Sequence, residues 1–252
     1  MTPRWLQFRL SWLLIAMTCI SVWLGVWVHR SRRQRDAITA LRKAGDGISI
    51  EYDFENARPN STSGILPPPT PPGPNWLREL AGIDFVADVV RVNTFGWQFS
   101  NGSAFTDADA NLLGAFPKLK HLRLDQVDVT DRGLDRVAKL HALETLYLRH
   151  LPVTDAGIER LAGLPELNFC VLDCRNITES GLNHLSQLPA LRFLDLRTTP
   201  VTDAGLLRLA ASQSLREIVV SDEHLTAAGI AAFRQAAPAC KLSVRPTSVS
   251  RN

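Results

Sequence analysis

Residues 153–161 read VTDAGIERL, and the phrase returns every 24 residues: FTDADANLL from Phe105, VTDRGLDRV from Val129, ITESGLNHL from Ile177, VTDAGLLRL from Val201 and LTAAGIAAF from Leu225. Five full copies and a sixth partial one are visible. A second phrase, LxxLxL, follows in each copy. Its apolar positions are Leu119, Leu122 and Leu124, then Leu143, Leu146 and Leu148, Leu167, Cys170 and Leu172, and Leu191, Leu194 and Leu196. The last two copies are weaker, with Leu215, Ile218 and Val220, then Leu242 and Val244.

Side chains alternate faces along a strand, so the short LxL segment buries one side while its x residues face outward. The VTDAGL half supplies the opposite wall. There Leu134 and Val137, Ile158 and Leu161, Leu182 and Leu185, and Leu206 and Leu209 recur at the i, i+3 spacing of a buried helical stripe. One copy cannot bury both stripes alone, and a stack of copies can. Self-similarity at this period with this leucine spacing resembles the leucine-rich repeat, over residues 105–245. The resemblance implies an α/β fold, a solenoid with a parallel sheet on its concave face and short helices on its convex face.

The polar letters of the phrase read as structural. Thr130, Thr154, Thr178, Thr202 and Thr226 stand where an N-cap hydroxyl accepts from free helix amides. Asp131, Asp155, Glu179 and Asp203 then meet the positive helix end. Gly133, Gly157, Gly181, Gly205 and Gly229 lie inside the helix start, where glycine is unfavourable, and point to close approach of the neighbouring coil. They do not form the clustered glycines of a phosphate loop.

The formal net charge of +3 is unevenly placed. Residues 1–43 hold eight Lys or Arg against Asp36 alone, whereas from residue 105 onward 17 basic residues balance 17 acidic ones. A neutral repeat region argues against nucleic acid as a partner, because phosphate binding needs a basic face. The N-terminal bases bracket an uncharged run, LSWLLIAMTCISVWLGVWV, from Leu10 to Val28. Its length suits a bilayer core, and Trp12, Trp23 and Trp27 suit the interfaces. Because VWVHRSRRQR places bulky and basic residues where a small-x-small cleavage site is needed, residues 12–28 are expected to be a transmembrane helix in contact with the lipid bilayer. Arg30, Arg32, Arg33, Arg35, Arg42 and Lys43 follow it while Arg4 and Arg9 precede it, so the positive-inside count of this single-pass membrane chain favours a cytoplasmic repeat domain.

Around these features the chain divides into an N-terminal tail (1–11), the transmembrane helix (12–28), a juxtamembrane helix and short strand (29–57), a proline-rich linker (58–75), an N-terminal cap (76–104), the repeats (105–245) and a C-terminal tail (246–252). Ala37, Ile38, Ala40 and Leu41 suggest the helix, and the alternation of Ile48, Ile50, Tyr52 and Phe54 suggests a strand covering the first edge of the stack. RPNSTSGILPPPTPPGPN reads as an extended spacer. In the cap, Val90 and Val92 resemble the strand phrase but stand out of frame, before an insertion, FGWQFSNGSA. Asn60-Ser61-Thr62, Asn101-Gly102-Ser103 and Asn176-Ile177-Thr178 match the glycosylation pattern and receive no function.

An Arg-rich flank, an ALRKAG helix, a proline spacer and VTDAGL-type repeats behind a single membrane helix resemble the bacterial membrane-anchored leucine-rich repeat proteins. The repeats are also similar to the cysteine-containing subclass, although only Cys174 comes near its cysteine position.

Chemistry is sparse. The six histidines are scattered, no HExxH or paired CxxC is present, and the four cysteines imply no disulfide framework. No enzyme, cofactor, metal or small-molecule substrate is expected. Function then rests on a surface, and the strand register draws it as three outward columns. The first is His121, Thr145, Phe169, Phe193, Glu217 and Lys241. Next comes Arg123, Tyr147, Val171, Asp195, Val219 and Ser243, and the third is Asp125, Arg149, Asp173, Arg197, Ser221 and Arg245. The alternating signs of the third column are expected to pair across strands. Tyr147, Phe169 and Phe193, beside Arg149, Arg197 and Asp195, are the expected exposed contact for a protein or peptide partner, since interface hot spots favour aromatics and arginine. The alternatives are a structural spacer of the membrane surface and an accessory or sensor subunit of a membrane complex.

Overall fold

The computed structural model describes residues 4–44, 47–53, 87–95 and 105–246. The proline-rich stretch 58–75, the cap apart from 87–95, the triplets at Asn60 and Asn101 and the tail beyond Pro246 lie outside the described residues. Two compact units are present, one comprising residues 1–38 with 54–87, the other 39–53 with 88–252.

Helix α1 (Arg4–Ala44) runs through 41 residues without a break. The separate juxtamembrane helix expected from the sequence is therefore the last turns of α1. No Gly or Pro interrupts residues 29–44, and Arg, Gln, Ala and Leu there are strong helix formers. Trp12, Leu13, Leu14, Ile15, Met17, Ile20, Val22, Trp23, Leu24 and Val26 are exposed on α1, and the Trp23 and Trp27 rings stack at 5.2 Å. By length and composition this helix is apolar enough to cross a membrane.

In the second unit, eight strands form one sheet in sequence order: β1 (Ile48–Tyr52), β2 (Val89–Phe95), β3 (His121–Asp125), β4 (Thr145–Arg149), β5 (Phe169–Asp173), β6 (Phe193–Leu196), β7 (Glu217–Ser221) and β8 (Lys241–Arg245). Strand β1 pairs antiparallel with β2, and every later pair is parallel. A short helix returns the chain after each strand from β3 to β7: α3 (Asp131–Val137), α4 (Asp155–Leu161), α5 (Glu179–Ser186), α6 (Asp203–Leu209) and α7 (Ala227–Ala236), with α2 (Asp107–Ala110) preceding β3. This is a leucine-rich-repeat-like α/β arrangement. Its core is the two stripes meeting, for Leu122, Leu146 and Leu194 from the strands and Leu134, Leu161 and Leu185 from the helices are wholly buried.

The first coil departs from the sequence reading. Val92 pairs with Leu122 and Thr94 with Leu124, so the buried phrase is Val89, Val92 and Thr94 rather than Val90 and Val92. A threonine can occupy this leucine position because its hydroxyl donates to the Arg123 carbonyl at 3.2 Å.

The repeated Thr-Asp pair also does something the sequence reading did not assign. Each aspartate reaches forward one coil and accepts twice from the next threonine. Asp107 accepts from the Thr130 amide at 2.8 Å and hydroxyl at 2.6 Å, and Asp131 receives the same two bonds from Thr154. Asp155 likewise takes both from Thr178, and Asp203 both from Thr226. Glu179, one methylene longer, accepts only the Thr202 hydroxyl, at 3.0 Å. These bonds hold the Asp203 carboxyl below its ordinary range, the Thr226 hydroxyl contributing most. The run opens at Thr106, which takes Asp109 of its own helix instead, and Ala227 stands where a further aspartate would extend it.

The same aspartates account for Gly133, Gly157, Gly181 and Gly229, whereas a Cβ on Gly205 would meet Leu182. A Cβ on Gly157 would collide with Asp131 Oδ1 and lie 3.0 Å from both Leu134 Cδ1 and Val153 Cγ1. The expected N-cap role is real but weaker. Thr226 accepts from the Gly229 amide at 3.0 Å and Thr130 from Arg132 at 3.3 Å, while Thr154 caps nothing with its side chain.

Candidate interaction face of the sheet

The sheet face away from the helices carries the first two columns in the register read from the sequence, while the third is interrupted at Arg197, which lies in the turn after β6. Thr145 pairs with Phe169 and Phe169 with Phe193, and Arg123, Tyr147, Val171 and Asp195 follow one another across β3 to β6. Register at about 4.8 Å per strand brings the three expected rings together. Phe169 and Phe193 stack at 4.4 Å between centroids with planes 7° apart, and Tyr147 lies 5.5 Å from Phe169 at 44°. The rings are half-buried rather than exposed, because each covers a face of the next. Val171, Val219 and Asp195, expected to face solvent, are buried at 5%, 9% and 6% exposure, closed over by longer neighbours.

The charged residues do not pair as expected. In place of an alternating ladder along the third column, Arg123 and Arg197 each pair with an aspartate two residues away in sequence, while in the first column Lys241 meets Glu217 across β7 and β8 at 2.7 Å. Arg123 meets Asp125 at 2.8 Å, and Arg197 grips Asp195 with Nε and Nη2 at 2.8–3.0 Å. Such bidentate contact holds the guanidinium flat and its orientation fixed. Arg149, whose register partners are Asp125 and Asp173, bonds to neither. Its Nε is buried without a hydrogen-bond partner among the described residues.

His150, which the sequence left unassigned, takes that place. Its backbone is left-handed at φ 53°, uncommon for a residue with a side chain, and the turn sets the imidazole between the two aspartates. Nδ1 lies 3.5 Å from Asp125 and Nε2 3.2 Å from Asp173. No spacing rule marks such a residue.

Two further residues extend the site beyond the reading. The Arg123 guanidinium lies 4.8 Å from the Phe95 ring centre and 5.7 Å from that of Tyr147, within cation–π reach of both. The row is therefore Phe95, Arg123, Tyr147, Phe169 and Phe193, across five strands. Phe95 escaped notice because Arg91 pairs with His121, thirty residues on, where later coils repeat at 24. Beside this row, Arg91, Asn93, His121, Thr145 and Asn168 line a shallow open depression with Arg123, Tyr147 and Phe169. Burial, and next the Arg91 charge, lower the pKa of His121, leaving it a neutral imidazole at pH 7.

Strand β1 leaves the ring cluster uncovered. It pairs with β2, with β3 intervening before β4, roughly 14 Å away at the usual strand spacing.

Cys170 and Cys174 lie in the core of this region. Burial pushes the Cys174 thiol up to about 12 and raises Cys170 further, so both stay protonated and unreactive at neutral pH. Among the described residues, no group of three or more His, Cys, Asp or Glu side chains is placed to hold a metal ion.

No family model matches the chain, and no curated protein matches it. Among solved structures, an internalin from Listeria monocytogenes is similar at 15% identity and a TM-score of 0.37, over 66% of this chain and 60% of that chain. This chain thus spans less than two thirds of that protein's length. The leucine-rich-repeat-like character rests on the chain's own strand register and 24-residue period.

Proposed function

We propose that the chain is a membrane-anchored leucine-rich repeat solenoid that binds a protein or peptide partner on its concave sheet face, without a catalytic role. Stacking supports the curvature. Strands stand about 4.8 Å apart while helices are about 10 Å wide, so a coil with one of each bends with the sheet inside. Residues 12–28 of α1, apolar and exposed, are its bilayer anchor, and the basic flank after them favours the cytoplasm for the repeats.

The observation that carries the reading is the ring row. Tyr147, Phe169 and Phe193 are large apolar groups left half-uncovered on a sheet face, framed by arginines, the composition that anchors protein interfaces. Arg149, Arg197 and Asp195 complete the proposed contact.

The partner recovered with the full-length chain from native membranes, cross-linked before solubilisation, is expected to fall at least ~10-fold in a Tyr147→Ala, Phe193→Ala double variant. Leu207→Ala, on the exposed side of α6, leaves recovery unchanged. Equal recovery from the double variant and the wild type rejects the reading.

A further inference from the structure

We propose that the occupant of this face is an extended acidic polypeptide segment, held by Arg149 with Arg123 and Arg197 while its apolar side chains rest on the Tyr147–Phe169–Phe193 rings. The inference rests on the interaction reading above and specifies its partner.

Charge complementarity leads to it. Although the repeat region is neutral, its charges are layered on this face. Asp125, Asp173 and Asp195 are buried, with side chains 9%, 11% and 8% exposed, whereas Arg123, Arg197 and His150 above them are 31%, 50% and 55% exposed. An approaching chain therefore meets the Arg123 and Arg197 guanidinium groups, with the His150 imidazole beside them, before it meets the carboxylates. Arg149 stands between them with no ion pair or hydrogen bond from its side chain among the described residues, and its Nε is buried and unsatisfied there. A half-buried guanidinium whose Nε has no acceptor gains from a carboxylate brought to it by a partner.

Ring orientation points the same way. Phe169 and Phe193 face each other nearly parallel, and Tyr147 follows at a tilt. Stacked rings keep their faces for one another and turn their edges to solvent. Aromatic edges carry the positive part of the quadrupole and so receive carboxylate and carbonyl oxygens. Single-stranded nucleic acid, the other common polyanion, binds by stacking bases on free ring faces, and here the facing sides of Phe169 and Phe193 are taken by each other. Spacing also fits an extended chain. Arg123 on β3 and Arg197 following β6 are three strands apart, roughly 14 Å, which about four or five extended residues cross. Acidic residues at every second or third position would meet the arginines in turn.

Fluorescence anisotropy on the full-length chain in lipid nanodiscs tests this with four labelled probes. Three are twelve-residue peptides of identical Phe and Leu spacing whose remaining positions are all Glu, all Lys or all Ser, and the fourth is a fifteen-nucleotide single strand of thymidines. The Glu peptide is expected to bind at least ~10-fold more tightly than the other three, and to weaken as salt rises. Arg149→Ser is expected to lower its affinity at least ~5-fold, with Arg149→Lys in between, while both variants melt like the wild type because the Arg149 side chain has no ion-pair or hydrogen-bond partner among the described residues. Equal binding of the Glu and Ser peptides overturns the acidic partner and leaves the interaction reading standing, since partner recovery from native membranes reads that separately. Preference for the oligonucleotide, or no binding by any peptide, also overturns it.

Discussion

Gly157→Ala is expected to destabilise the chain by about 1–3 kcal/mol, the range for overfilling a packed site, where the same change in an ordinary helix stabilises by up to about 1 kcal/mol. Gly157 lies in the first turn of α4 with no positive φ, so alanine meets no backbone objection. What it meets is the preceding coil. The new methyl would strike the Asp131 carboxylate while that carboxylate is held by two hydrogen bonds from Thr154. Moving it aside breaks both bonds, each contributing about 1 kcal/mol. Asp131→Ala removes the obstacle and the bonds together, so adding Gly157→Ala to it costs far less than in the wild type, with a coupling of at least ~1 kcal/mol. Urea unfolding of the four chains measures this. Additive effects would show that the glycine serves some purpose other than admitting the carboxylate.

The second large effect is on binding. Phe169 is the middle ring of the row, touching Tyr147 on one side and Phe193 on the other, so Phe169→Ala removes both contacts at once. For the half-buried ring the loss of stability is about 1–3 kcal/mol, below the value for a fully buried phenylalanine, because only part of its surface is already out of water. Partner affinity is expected to fall at least ~30-fold, the loss associated with a central hot spot. Circular dichroism at the temperature of the binding measurement separates the two, since the variant is expected to stay folded there. A folded variant with unchanged affinity would remove Phe169 from the contact.

Much of this face was legible because the period is constant. A repeat of 24 residues with leucines at fixed offsets sets the strand register, and register alone puts Phe169 beside Phe193 and Arg123 beside Tyr147. What register does not give is how long side chains choose among neighbours. Arg197, in the turn after β6, takes Asp195 two residues before it rather than a carboxylate across the sheet, and Arg149 bonds to neither of its register partners, both of which the His150 imidazole faces. A left-handed backbone at a histidine has no signature in composition or spacing.

The Thr-Asp letters show a related limit. Their recurrence marks a structural role, yet a helix-start aspartate reads locally as a charge on its own helix. Its actual partner is the threonine 23 residues on, visible only once the coils are stacked. Thr94 illustrates the opposite failure. A polar residue in a leucine position hid the first coil, although one hydrogen bond suffices to satisfy it.

The central claim is that the sheet side, and not the helix side, meets another polypeptide. A photo-reactive phenylalanine analogue at Phe193 preserves the ring, and the same residue at Leu207 samples exposed α6 on the helix side. Irradiated in native membranes, the full-length chain carrying it at position 193 is expected to form a discrete protein adduct that the chain carrying it at 207 does not form. An adduct from 207 with none from 193 would contradict the account.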